Sequence, residues 1–110
     1  MEVKFTEQFF RDCKQLRKKY HNLDEDLQGF IKEFENGNVK GDKIIGIKST
    51  YKVRYKNSSS KSGKSGGFRI IYYVQQLDLA YLLTIYAKNE KEDVSRNEIL
   101  QILKREDLEN

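Results

Sequence analysis

The sequence predicts one α+β domain: an N-terminal αα-hairpin packed on a curved antiparallel β-sheet, with a helix at the C-terminal end. Three observations carry this. Apolar residues recur at helical spacing over residues 6–36 and again over 95–106, whereas residues 51–87 alternate or run as apolar tracts of strand length. The 110 residues can bury one hydrophobic core but leave no room for a second, so 1–110 reads as a single domain. The tract from Asn57 to Gly67 contains only Asn, Ser, Lys and Gly, and is short enough to be a loop within a domain rather than a linker between two.

Val3-Lys4-Phe5 reads as a short first strand. Thr6 follows as a helix N-cap with Glu7 in the first turn, and Phe5 and Phe10 stand where a hydrophobic staple places its two members. Phe9, Cys13, Leu16 and Tyr20 form one apolar stripe of a helix over 6–20, with Arg11, Lys14, Arg17 and Lys18 largely off it. After the turn at His21-Asn22-Leu23, the acidic run Asp24, Glu25 and Asp26 suits the positive end of a second helix. Its stripe is Leu27, Phe30, Ile31 and Phe34, and Asn36-Gly37 stops it.

Ile44 to Lys48 is a candidate short strand. Tyr51 to Lys56 alternates strictly, which puts Tyr51, Val53 and Tyr55 on one face and Lys52, Arg54 and Lys56 on the other. Phe68 to Val74 and Leu79 to Ala87 complete an antiparallel meander. Ser95-Arg96-Asn97-Glu98 is a capping box, and Val94 with Ile99 completes a staple, so a final helix spans 95–106 with Ile99, Ile102 and Leu103 inward. The main order is β-α-α-β-β-β-α. The two N-terminal helices cover one sheet face. The other face carries cations that cannot be buried unpaired, and is expected to stay open.

Charge is unevenly distributed. The net charge is +4, yet residues 37–70 hold nine basic side chains against one acidic. Such a focused block is the footprint of a polyanion site, or else a solvated strand surface. No apolar stretch is long enough for a membrane span, and Met1-Glu2-Val3-Lys4 runs straight into an amphipathic segment, so a cytoplasmic protein with no membrane partner is expected. The single cysteine, Cys13, allows no internal disulfide.

Several chemistries lack their residues. One His and one Cys make no metal cluster, and no metal or other cofactor is expected. His21 lies in the interhelical turn, and Cys13 lies on a core stripe with no histidine to activate it. Ser62-Gly63-Lys64-Ser65-Gly66-Gly67 contains part of a phosphate-binding loop signature. The glycine required five residues before Gly63 is Ser58, and the loop joins two strands rather than a strand and a helix. Its amides and Lys64 remain suited to holding a phosphate, or Lys64 simply keeps the loop soluble.

Cleavage of RNA by its own 2′-hydroxyl needs fewer protein groups: charge stabilisation at phosphorus and two proton transfers. Arg54 and Arg69 suit phosphate clamping. Lys64, Tyr86 and Lys88 would move protons if neighbouring cations lowered their pKa values. Tyr86 and Lys88 share a strand face by period two, and Tyr86 equally suits the role of an ordinary strand aromatic. Tyr72 and Tyr73 face opposite ways, so at most one lines a site.

Taken in order, Tyr51-Lys52-Val53-Arg54, the tract Gly63 to Tyr73 and Leu82 to Glu90 resemble the RelE/ParE superfamily of bacterial toxins, most closely its HigB-type branch. The resemblance covers nearly the whole chain, including the αα-hairpin and the Asp93-Val94-Ser95 lead into the last helix. It implies a RelE-like fold and a metal-independent endoribonuclease that cuts mRNA on the ribosome. It also implies a cognate antitoxin, usually a helix-turn-helix repressor, so that DNA is met only indirectly through the antitoxin complex. On this resemblance Arg54, Arg69, Tyr86 and Lys88 are the catalytic candidates, and Lys52, Lys56 and Lys64 the substrate-binding ones. A ParE-like inhibitor of DNA gyrase without nuclease activity is the alternative.

Overall fold

Local signals at the N-terminus fold as the sequence predicts. In the computed structural model, which describes residues 1–60 and 66–108, β1 spans Glu2–Phe5 and α1 spans Glu7–Arg17. The Thr6 hydroxyl accepts a hydrogen bond from the Phe9 amide at 3.0 Å and donates to the Leu83 carbonyl at 2.7 Å. The cap therefore also pins the helix start to the sheet. Phe5 and Phe10 pack with ring centroids 5.6 Å apart, and Phe9, Cys13, Leu16 and Tyr20 are all buried. Arg17 and Asp24 bridge the interhelical turn at 2.9 Å. Helix α2 follows at Leu23–Glu35 and ends as Gly37 takes a φ of 76°, a left-handed conformation that glycine tolerates.

The remaining elements are β2 (Asp42–Lys43), β3 (Thr50–Tyr55), β4 (Phe68–Gln76), β5 (Leu79–Ala87) and α3 (Arg96–Arg105). The sheet order is β1-β5-β4-β3-β2. Strands β3 to β5 form the expected antiparallel meander, which the short β2 extends, but β1 pairs parallel with β5, from Glu2 opposite Leu79 to Phe5 opposite Leu82. The sheet is thus mixed. Running this way, β1 delivers Thr6 to the backbone of Leu82 and Leu83, where α1 must start.

The candidate strand from Ile44 to Lys48 is not one. Gly46 and Ser49 take φ values of 91° and 57°, which break the extended run into turns. Ile47 is buried there as a plug, and the strand pairing that does form is the short β2, just upstream.

Two cores result. On one face, α1 and α2 cover Val53, Phe68, Ile70, Tyr72, Leu82 and Ile85. On the other, Ile71, Tyr73, Leu83 and Tyr86 meet Ile47, Val94 and the Ile99, Ile102 and Leu103 stripe of α3. The second face is therefore only half open, in contrast to the expected fully exposed cationic surface, because α3 must bury its own stripe. Ser95 and Glu98 form the complete capping box that starts α3. Among the described residues no helix is long and apolar enough to cross a membrane.

Candidate nucleic-acid interface

Strand register brings three of the sequence candidates together. Arg54 of β3 stands opposite Arg69 of β4, and Arg69 stands opposite Tyr86 of β5. Register partners share a sheet face, so the three side chains form one row across three adjacent strands. Lys52 lies two residues before Arg54 and shares its face by the period of the strand. Arg54 is exposed, Arg69 half-buried and Tyr86 buried to 6% exposure at the margin of the second core.

The backbone around Arg69 is shaped by one glycine. Gly67 has a φ of 89°, and a Cβ there would stand 2.8 Å from the Tyr55 carbonyl oxygen. A side chain at this position would clash with β3 just where β4 begins. The Arg69 guanidinium turns back over this bend, with Nη1 donating long hydrogen bonds to the Gly66 and Phe68 carbonyls at 3.4 and 3.5 Å. Burial, and then the like charge of Arg54, pull the Arg69 pKa below its ordinary value, against a smaller opposing effect of Tyr86. Two guanidiniums held side by side, with no carboxylate among the described residues bridging them, are poised for an anion.

Tyr86 departs from the expectation of a lowered pKa. Burial, and next the Asp93 carboxylate, push its phenol up to about 12, and Arg69 only partly opposes them. At neutral pH it is a protonated hydroxyl, donating to Asp93 Oδ1 at 3.2 Å. Lys88 lies just past β5, half-buried, with Nζ donating to the Glu92 carbonyl at 2.9 Å. Lys56 is exposed. With Arg54, Gly66, Gly67 and the carboxylate-bearing Glu33 it lines a concavity of about 470 Å³ at the same end of the sheet. Lys64 lies outside the described residues. Neither Tyr72 nor Tyr73 joins the row, because each is buried in the core on its own side of the sheet.

The remaining sequence candidates stay out of the site. His21 is exposed, and Cys13 is buried with its thiol pushed up to about 11, chiefly by desolvation. A thiol so protonated is a poor nucleophile.

Asp93 is the polar residue that sequence reasoning passed over. Its Oδ1 accepts from Lys52 Nζ at 3.1 Å, from the Tyr86 hydroxyl at 3.2 Å and from the Val94 amide at 2.8 Å. Burial would raise its pKa; the bonds from Lys52, Val94 and Tyr86 outweigh that and hold it below the usual carboxylate value. Its place directly before the Val94 staple and the Ser95 cap puts it at the lead into α3, but not against any particular side chain of the sheet. Asp12 was passed over too. It receives the Thr84 hydroxyl, and the Ile85 amide at 3.1 Å, on the stretch of β5 beyond β1.

Residues 5–106 match the family model described as the RelE toxin of the RelE/RelB toxin–antitoxin system. The chain belongs to the RelE family. Among solved structures it is similar to a double arginine-to-alanine mutant of the Escherichia coli toxin RelE in the free state. That similarity has a TM-score of 0.54 at 19% identity and covers 94% of this chain and 95% of the other. At that identity the likeness speaks for the fold: three helices on a five-stranded mixed sheet among the described residues, with a helix at the C-terminal end.

Proposed function

We propose that this RelE-family chain is the toxin of a type II toxin–antitoxin system and a ribosome-dependent, metal-independent endoribonuclease that cuts mRNA and so stops translation. The observation that carries this reading is the Arg54–Arg69–Tyr86 row across β3, β4 and β5, with Lys52 on the same face. Cationic side chains held by sheet register, neither arginine being ion-paired among the described residues, match what a phosphodiester in its transition state requires. Within the family, the tracts Tyr51 to Arg54, Gly63 to Tyr73 and Leu82 to Glu90 taken in order are most like the HigB branch.

In the proposed reaction the RNA 2′-hydroxyl loses its proton and its oxygen attacks the adjacent phosphorus. The bond from phosphorus to the 5′-oxygen breaks, and that oxygen takes up a proton. A 2′,3′-cyclic phosphate and a 5′-hydroxyl result. Arg54 and Arg69 neutralise the charge that builds on the non-bridging oxygens. Lys52, Lys56 and Lys64 hold the flanking backbone. Tyr86 or Lys88 takes part in moving these protons at the attacking and leaving oxygens. So few acid–base groups make sense if the ribosome supplies the in-line arrangement of the message. The partners of this reading are the ribosome with its mRNA and a cognate antitoxin, a helix-turn-helix repressor through which alone DNA is met. The compartment is the cytoplasm.

The test is a cell-free translation reaction with purified protein, followed by primer extension on the message. Cuts on translated message only, unchanged by EDTA, support the reading. Intact message with normal translation overturns it, and DNA damage in expressing cells would then point to the gyrase-directed mode.

A further inference from the structure

The open and the covered halves of the second face meet at Asp93. Toward the open half its Oδ1 takes Lys52 Nζ, and toward the row it takes the Tyr86 hydroxyl. The same oxygen takes the Val94 amide at 2.8 Å, the shortest of its three bonds. That third bond ties the carboxylate, whose side chain is 61% exposed, to the lead into α3. Val94 is buried in the second core, and the next residue, Ser95, caps α3. The orientation of the carboxylate is thus set by a packed helix start rather than by a free loop.

A carboxylate beside a proposed phosphate site is electrostatically unfavourable for binding, because it repels the polyanion that the arginines attract. Something must offset that cost, and the geometry shows what. Tyr86 gives its hydrogen to Asp93, so the rotation of its hydroxyl is fixed and the phenol oxygen has a defined place at the end of the row. Lys52 is drawn in from a long, flexible stem to the same anchor. Other charged groups stand near Tyr86: Arg69 across the strand, and Asp12, Lys91, Glu98 and Arg105 with it around a cleft of about 260 Å³ between α1, β5 and α3. Of these groups and Asp93, it is Asp93 that takes the phenol's hydrogen bond.

We propose that Asp93 is a positioning residue for RNA cleavage, holding the Tyr86 hydroxyl and the Lys52 ammonium in one fixed arrangement beside Arg69. This rests on the nuclease reading. It differs in sign from the other role such a carboxylate can play, that of a built-in phosphate mimic which RNA must displace from Lys52. Removing a mimic speeds the reaction; removing a positioning residue slows the chemical step while leaving binding intact or tighter.

The experiment compares wild-type protein, Asp93→Ala and Asp93→Asn in single-turnover cleavage of mRNA on programmed ribosomes. Asp93→Ala is expected to lower the cleavage rate about 100-fold, the loss that follows a misplacement of about 1 Å, with an unchanged or lower KM. Asp93→Asn keeps an oxygen in the Oδ1 position for the Val94 amide and for Tyr86, and is expected to recover the rate to within about fivefold, a small part of that loss. An unchanged or faster rate in Asp93→Ala, or an Asp93→Asn variant as slow as Asp93→Ala, overturns the proposal. A second readout needs no cleavage and serves if Asp93→Ala fails to fold. The Tyr86 phenol, followed by NMR of 13C-labelled tyrosine, should titrate at lower pH in Asp93→Asn than in wild type. A titration that does not move overturns the contact itself. A wild-type protein that cuts nothing overturns the nuclease reading and the catalytic role with it, while the phenol titration still tests the Asp93–Tyr86 link.

Discussion

The two faces of the sheet are built by the same strands to opposite ends. On the face under α1 and α2, β3 and β4 contribute Val53, Phe68, Ile70 and Tyr72, locked by aromatic contacts such as Phe30 against Tyr55 at 5.3 Å and Phe34 against Tyr72 at 4.7 Å. On the other face, the intervening positions of those strands contribute Lys52, Arg54 and Arg69. The first face is stabilised by area removed from water and tolerates little change. The second is covered by α3 only over Ile71, Tyr73, Leu83 and Tyr86. Its cationic half adds little to stability, so its residues are free to serve a ligand. Stability and chemistry are thus separated by strand alternation and not by distance along the chain.

The largest effect is expected from cutting into the buried face. Phe30, fully buried, should cost about 3–5 kcal/mol of stability on Phe30→Ala, read from urea unfolding, with cleavage per folded molecule unchanged. Arg69→Ala should do the reverse. It should abolish toxicity and lower cleavage by about 10²–10³-fold, in the range of losing one transition-state donor, while the unfolding midpoint stays close to wild type. A fully toxic Arg69→Ala protein would show that the row is not the site. Tyr86 sits on the border between the two regimes. Tyr86→Phe keeps the ring in the second core and removes only the hydroxyl, so a loss of about 10²-fold in cleavage rate is expected with little loss of stability. A large fall in melting temperature instead would assign Tyr86 to the core alone.

The smallest effect is in the pH dependence of stability. Tyr20 and Tyr86 keep their protons to about 12 in the folded chain, against about 10 for an unfolded tyrosine. The folded state therefore binds more protons between these limits. Their contribution is complete below the lower value and is lost as pH rises toward the upper one. Thermal melts between pH 9 and 11.5 should show this decline, and Tyr86→Phe should reduce it.

Much of the molecule was legible because its signals are local. Phe5, Thr6 and Phe10 announce the start of α1, and Val94, Ser95, Glu98 and Ile99 that of α3; every partner lies within five residues. Strict alternation over Tyr51 to Lys56 sorted inward from outward side chains. The family likeness rested on the same strands. What was not legible depends on residues far apart in sequence. Ile44 to Lys48 has the composition of a strand, and only the plug role of Ile47 and the backbone at Gly46 and Ser49 make it a turn. The raised phenol of Tyr86 could not be anticipated from neighbouring cations, because burial and Asp93 outweigh Arg69.

Local pattern accounts for the elements other than β2, the burial of one helix stripe each in α1, α2 and α3, and the basic character of β3, since these follow from periodicity and capping within a few residues. Long-range packing instead sets β1 parallel to β5, closes half of the second face with α3, and lines up Arg54, Arg69 and Tyr86 in one row. Only it brought Lys52 and Asp93 together across 41 residues. The reason is physical: strand register and helix docking are set by contacts between distant segments, and no local spacing encodes which distant carboxylate a lysine will meet.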